Sequence, residues 1–424
     1  MDSKVGYILV GSIIKPVSQT NAVIIDGAIA VGMHTGTIRD FGTLQEISRK
    51  YSTWEIIHMD DSVILPAFAD AHTHLPQFSI RRSGKARLYD WLEGIVFPEE
   101  LRFKDINYAS QVTYSFFKDM LKNGTLTAMI YMSPFFETIT TISQLAEKHS
   151  FIDFHAGPIL MNTQIPDTFE TDTETIIENI EETAVWLKRK FAVSPRYAPL
   201  CDAELLCQLG KIVSKHDLFI QLHIAELPDE FQKTKVNFPD AKYYSEIYED
   251  TGLLTDKTVL GHCIYLDNED YKAITEAKAL VAHLPLANEA LGSGRMPLEK
   301  LREFGVNWAL GTDVGASPTL SMLAVMQSFV RTHKDITPAT AVEALYRSTR
   351  SLPEFLGKPF VGQIEPGSPA NLVIVNSKEA ARQNDAEKAL RLLTGGSFEE
   401  LEAKVTATIA KGNIVSGSIP SLIP

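Results

Sequence analysis

The stretch from Pro66 to Gln77, PAFADAHTHLPQ, ends an apolar run on His72 and His74, one residue apart. Alone, such a pair suits a packed strand end as well as a metal site. Three other apolar runs also close on ligand-capable residues. LFIQLHIAE carries His223 with Glu226 three residues on, TVLGHC carries His262, and VNWALGTD carries Asp313. Alternation along a strand puts His72 and His74 on one side, within reach of one ion. Joined by His223 and Asp313 from distant positions in the chain, they make three imidazoles and one carboxylate, which suit Zn²⁺, Fe²⁺ or Mn²⁺ better than Ca²⁺ or Mg²⁺. A carboxylated lysine bridging a second ion would have to close FAVSPRYAP. That run has no lysine, and Lys188 and Lys190 lie upstream of its end. One metal per chain is the expectation.

The elements that would hold these residues alternate. Eight apolar runs, VILPAFADAH, LTAMIYM, IDFHAGPILM, FAVSPRYAP, LFIQLHIAE, TVLGHC, ALVAHLP and VNWALGTD, are separated by segments with helical spacing. NYASQVTYSFFKDMLKNG stops at Gly124, and PLEKLREFG has Pro297 at its start and Gly305 at its end. Eight strands alternating with helices over roughly 300 residues predict an α/β fold, a (β/α)₈ TIM-like barrel. Catalytic side chains of such barrels gather at the C-terminal strand ends, where the ligand-capable residues fall. An open doubly wound sheet is the alternative, but no glycine-rich phosphate loop follows the first strand. Both chain ends read as short strands and turns, with a charged helical stretch near Glu379 to Leu393. They predict a small β-sandwich domain assembled from residues 1–62 and 361–424, around a barrel at 63–360.

Bulk properties exclude several classes. A formal net charge of −13 and the lack of a basic run argue against a nucleic-acid partner. No 18-residue apolar window occurs, so no membrane span is expected. Asp2 and Pro16 bracket an N-terminus unlike a signal peptide. Three cysteines without a CxxC pair suit a reduced cytoplasm.

The ordered set His-x-His, QLHIAE, GHC and LGTD resembles the amidohydrolase superfamily, in its mononuclear deaminase branch. WLEGIVFPEELRF, VSPRY, LGSGRMPLEKLREFGVNWALGTDVG and SMLAVM are similar to the guanine deaminase family. The terminal runs NLVIVN and VTATIAKGNIVSG are similar to its small β-domain. The resemblance implies hydrolytic deamination of guanine to xanthine and ammonia, with one zinc ion on His72, His74, His223 and Asp313. It implies Glu226 as proton shuttle, His262 as positioner of water and substrate, and Asp313 as acceptor of the water's proton. It implies Gln77, Arg196 and Tyr197, with His223 and His262, around the purine, and a homodimer. The chain departs from the family pattern at HLPQ, at Tyr197, at RRSGKARLYDWL and at HLPLANEALGSG, which leaves His283, Pro285 and Asn288.

Other readings stay open at this level. The ring is guanine, or another aminated heterocycle such as a pterin, 8-oxoguanine or a triazine, or the barrel is a non-catalytic scaffold. The zinc deaminase fold with a Pro-Cys-x-x-Cys signature is excluded, because that signature is absent. Arg196 also fits an ordinary ion pair and Gln77 a loop amide. Trp91 and Phe97 fit the core as well as a stacking wall, and His283 fits either the site's surroundings or the fold. Cys201 and Cys263 are assigned to packing, and His149 and His155 to structure.

Overall fold

The computed structural model describes residues 6–83, 87–148, 151–169, 171–187, 190–335 and 339–419. His149 and Lys188 lie outside the described residues. The chain opens with β1 (Gly6–Ser18), β2 (Asn21–Gly32), β3 (Thr37–Gly42) and β4 (Glu55–Pro66). The barrel strands follow: β5 (Phe68–His74), β6 (Thr125–Met132), β7 (Asp153–Leu160), β8 (Ala192–Pro195), β9 (Phe219–Ile224), β10 (Thr258–His262), β11 (Leu280–His283) and β12 (Asn307–Leu310). β13 (Leu372–Asn376), β14 (Val405–Ala410) and β15 (Asn413–Gly417) end the described chain.

β5 to β12 lie side by side in sequence order, each pair parallel. Their residues are almost all buried, as strands covered on both faces must be, which explains their near-continuous apolar runs. The seam between β12 and β5 closes just beyond the strand ends. Asp313 N donates to His72 O at 2.7 Å, and His74 N donates to Val314 O at 3.0 Å. Helices fill the connections. The helix Ile106–Lys122 is started by the Asp105 side chain and buries Ala109, Val112, Phe116 and Met120 along one face. The helix Ala203–His216 is capped by Asp202 and ends on left-handed Asp217.

The two chain ends meet in one seven-stranded sheet, ordered β15-β14-β13-β4-β1-β2-β3. Tyr7, Leu9, Ile29, Ile38, Ile57, Leu372 and Ile409 from six of these strands share one core. On the outer face Ile8, Val10, Ala28 and Ala30 pack against Ile47 of the helix Leu44–Lys50.

The run VILPAFADAH divides between the two sheets. Val63–Pro66 belong to β4 and pair antiparallel with β13, while Phe68 begins the barrel. Gly124 marks where the two units touch. At φ +82° it adopts a backbone that suits glycine, and a Cβ there would sit 2.7 Å from Val373 Cγ2. The fully buried Thr408 of β14 donates its hydroxyl to Leu121 O at 2.6 Å, across the same contact. Thr408→Val keeps the shape and leaves that carbonyl without this donor. Gly124 N still donates to Leu121 O at 3.2 Å, so the variant should lower the unfolding free energy by about 0.5–1.5 kcal/mol, the net contribution of one hydrogen bond. Chemical denaturation should show the loss with metal content unchanged.

Candidate metal centre and active site

His72 and His74 close β5, His223 lies near the end of β9, and Asp313 follows β12. The fold brings one ligand atom from each to within 4.8 Å of all the others. His72 Nε2 and His74 Nε2 are 3.2 Å apart, and His74 Nε2 and His223 Nε2 are 3.1 Å apart. Asp313 Oδ1 is 3.5 Å from His72 Nε2 and 3.3 Å from His74 Nε2. Burial drives the pKa of all three histidines well below the ordinary value, so they are neutral. Neutral imidazoles that turn nitrogens toward one another need a cation or a shared proton between them. His223 Nδ1 lies 2.7 Å from Arg196 O, a geometry in which it donates its proton and keeps the Nε2 lone pair inward. The group therefore fits one divalent transition ion held by three nitrogens and an oxygen. β8 contains no lysine, so the strand supplies no carbamate bridge.

Packing orients the other two rings. The Nδ1 atoms of His72 and His74 have no hydrogen-bond partner among the described residues. Tyr131 of β6 stacks on His74 at 4.4 Å between centroids and lies 4.9 Å from the His72 ring. Gly261 covers His72, and a Cβ there would fall 2.7 Å from its Cε1.

Glu226 and His262 face this cluster. His262 Nε2 is 3.4 Å from Glu226 Oε2 and 3.9 Å from Asp313 Oδ2. Its Nδ1 meets Asn288 Oδ1 at 2.9 Å, which fixes the ring. Burial lowers the His262 pKa, but the Glu226 and Asp313 carboxylates outweigh it and the group ends above its ordinary value. Burial raises the Glu226 carboxyl, and it raises Asp313 to about 6. Ser293 donates to Glu226 Oε1 at 2.7 Å and leaves Oε2 toward His262. Glu230 clamps the loop behind: its carboxylate accepts from the backbone N–H of Ala225, Glu226 and Leu227.

One pocket is lined by His74, His223, Glu226, His262 and Asp313 together with Gln77, Arg196 and Tyr197. Trp91, Leu88, Leu92 and Leu291 supply its apolar wall. Phe97 is not among the lining residues and packs behind Arg196, 5.3 Å from its guanidinium carbon. His283 is also absent from the lining, and its Nε2 pairs with His333 Nε2 at 2.9 Å. His155 lies against Phe219, at the start of β9 rather than at its ligand-bearing end. Cys201 and Cys263 are buried free thiols.

Sequence reasoning did not single out Asp70, Glu100, Tyr131, Glu230 or Ser293. Asp70 had a usable signal, since Asp70, His72 and His74 alternate along one strand. Tyr131 sits in an apolar run and had none. The Gly261 contact yields a prediction. Gly261→Ala should displace the His72 ring and weaken metal affinity by about 10–100-fold, as loss of ligand support typically does. Metal titration of the purified protein, with circular dichroism to establish folding, measures it.

The amidohydrolase family matches residues 63–415. Guanine deaminase of Dictyostelium discoideum is 30% identical over 308 residues, 69% of this chain and 68% of that one. Guanine deaminase of Pongo abelii is 32% identical over 332 residues, 74% of this chain and 72% of that one. Among solved structures, guanine deaminase from C. acetobutylicum with bound guanine in its active site superposes with a TM-score of 0.87. It is 26% identical and covers 97% of this chain and 100% of that one. The family match begins before His72 and ends beyond Asp313, so it takes in the whole converging group, and the chain belongs to the amidohydrolase family.

Proposed function

We propose that this chain hydrolyses guanine to xanthine and ammonia, with one Zn²⁺ per chain on His72, His74, His223 and Asp313. The observation that carries the reading is the meeting, in one pocket, of that donor group with the Glu226–His262 pair and with Arg196 and Gln77. The similarity to guanine deaminases over about two thirds of the chain supports the choice of ring. Fe²⁺ or Mn²⁺ would suit the same donors.

When bound, the ion supplies Lewis acidity and lowers the pKa of water to about 7. The chain's own groups do the rest. Asp313 Oδ2, on the His262 side, takes a proton from the attacking water. His262, braced by Asn288, positions that water and the ring. Glu226 gives a proton to the ring nitrogen beside C2 and then passes one to the departing amine. Its raised pKa suits a carboxyl that must hold and release a proton near neutrality. Water supplies the new carbonyl oxygen, the C2–N bond breaks, and ammonia leaves. Arg196 donates to the guanine carbonyl, with Gln77 and Tyr197 beside it.

The same reading takes the enzyme as a cytoplasmic homodimer acting on a free small molecule. Residues 1–62 and 361–424 would form one domain and 63–360 the barrel. The reach of β4 to Pro66 supports moving the first boundary to Ala67. No described helix is long and apolar enough to cross a membrane.

Ammonia release from a panel of aminated purines, pterins and triazines tests the ring. Guanine should give the highest kcat/KM and adenine a poor one, since adenine turns an amino donor toward Arg196. A preference for another ring overturns the assignment. Glu226→Gln should keep its metal and lose at least about 10²-fold in turnover, the lower end of a general acid–base contribution. Loss of metal from that variant would make Glu226 a ligand instead.

A further inference from the structure

The helix Phe97–Leu101 carries Glu100, a fully buried carboxylate outside the lining of the pocket. Each of its oxygens has a different partner. Oε2 accepts from Arg196 Nη1 at 2.9 Å, and Oε1 accepts from Gln77 Nε2 at 3.1 Å. Arg196 and Gln77 are themselves 3% and 2% exposed, so these bonds form away from solvent screening. One arm of the Arg196 fork and the nitrogen of the Gln77 amide are thereby occupied. Donors on the rest of the guanidinium and the amide oxygen Oε1 remain for a ligand.

An unrestrained glutamine amide can turn over and exchange its donor for its acceptor. With Nε2 held by Glu100, that exchange is blocked. The pocket then offers donors from Arg196 and an acceptor from Gln77, in one fixed arrangement. A ring edge with a carbonyl next to an N–H matches it. An edge with an amino group next to a bare ring nitrogen presents the opposite pattern. We propose that Glu100 is a positioning residue that locks Gln77 and Arg196 into the arrangement selecting a lactam edge. The inference rests on the guanine reading and extends it to a residue that does not itself touch the ring.

The test measures equilibrium binding of labelled guanine in the Glu226→Gln background, with and without Glu100→Gln, alongside kcat/KM for guanine and adenine in otherwise wild-type protein. Glu100→Gln keeps the size, removes the charge and leaves one acceptor oxygen for two donors, so Arg196 and Gln77 can no longer both be held. It should weaken guanine binding by at least about tenfold, as lost preorganisation of two side chains would. KM should rise more than kcat falls, the preference for guanine over adenine should shrink, and metal content should stay at the wild-type level. In an Arg196→Ala background the same substitution should have a smaller effect. Unchanged binding and preference overturn the proposal. An equal loss in the Arg196→Ala background also overturns it, because that is the mark of a general packing role. If Glu100→Gln does not fold, Glu100→Asp keeps the charge but is too short to span both partners. It should show the same loss of preference, and wild-type preference in that variant overturns the proposal. Absence of guanine binding to Glu226→Gln with Glu100 intact tells against the guanine reading instead. The Glu100 comparison is then made with the ring that the panel identifies.

Discussion

The site depends on how the barrel closes. β5 and the segment after β12 are stitched together by the buried carboxylate of Asp70. Its Oδ1 accepts from His72 N at 3.1 Å and from Thr312 N at 2.9 Å, and its Oδ2 accepts from the Thr312 hydroxyl. Burial pushes this carboxyl up to about 7, and the donors from Thr312 and His72 oppose that shift. A buried carboxylate is costly unless its oxygens are met, so these bonds and the seam hold together. The closure sets Asp313 beside His72 and His74. In an open sheet of the same order, His72 and His74 on β5 and Asp313 after β12 would sit at opposite edges, with His223 on β9 between them.

The loops beyond the strands complete the constellation at a local cost. Ala225, His262, Cys263 and Asp313 all have φ between 52° and 71°, a region that side chains other than glycine's enter at about 1–3 kcal/mol each. Hydrogen bonds offset the strain. Cys263 N donates to Ile224 O, and Ile264 N and Tyr265 N both donate to Ala225 O. Glu230 binds three successive N–H groups of the loop that bears Glu226. Glu230 thus holds the Glu226 backbone and Ser293 holds Glu226 Oε1, which leaves Oε2 toward His262.

The pocket separates three tasks among three parts of the fold. The barrel seam and β9 hold the group that fits an ion, the loop after β9 and the end of β10 hold Glu226 and His262, and the segment after β5 joins the end of β8 in presenting Gln77 and Arg196. Asp313 links the first two, with Oδ1 toward the histidine nitrogens and Oδ2 toward His262. Glu100 braces the third from behind. The apolar wall of Leu88, Trp91 and Leu92 comes from one connection, where a flat ring can bury its faces without needing polar partners.

Much of this was legible in the residues themselves. The eight runs became eight parallel strands because their apolar, β-rich character requires burial on both faces. His72, His74, His223 and Asp313 stood out because polar ligands ending apolar runs are costly without a purpose. Local sequence could not say where VILPAFADAH divides, because both halves read as apolar strand and pairing with β13 and β1 assigns Val63–Pro66 to the other sheet. Nor could it pair Asp70 with Thr312, 242 residues away, or Glu100 with Arg196, 96 residues away. Residue type and periodicity alone determined the strands, the ligand-capable residues at their ends and the chemistry those residues suit. The tertiary structure alone decided which buried carboxylate meets which donor, because a charge removed from water takes its partners from whatever the fold brings within about 3 Å.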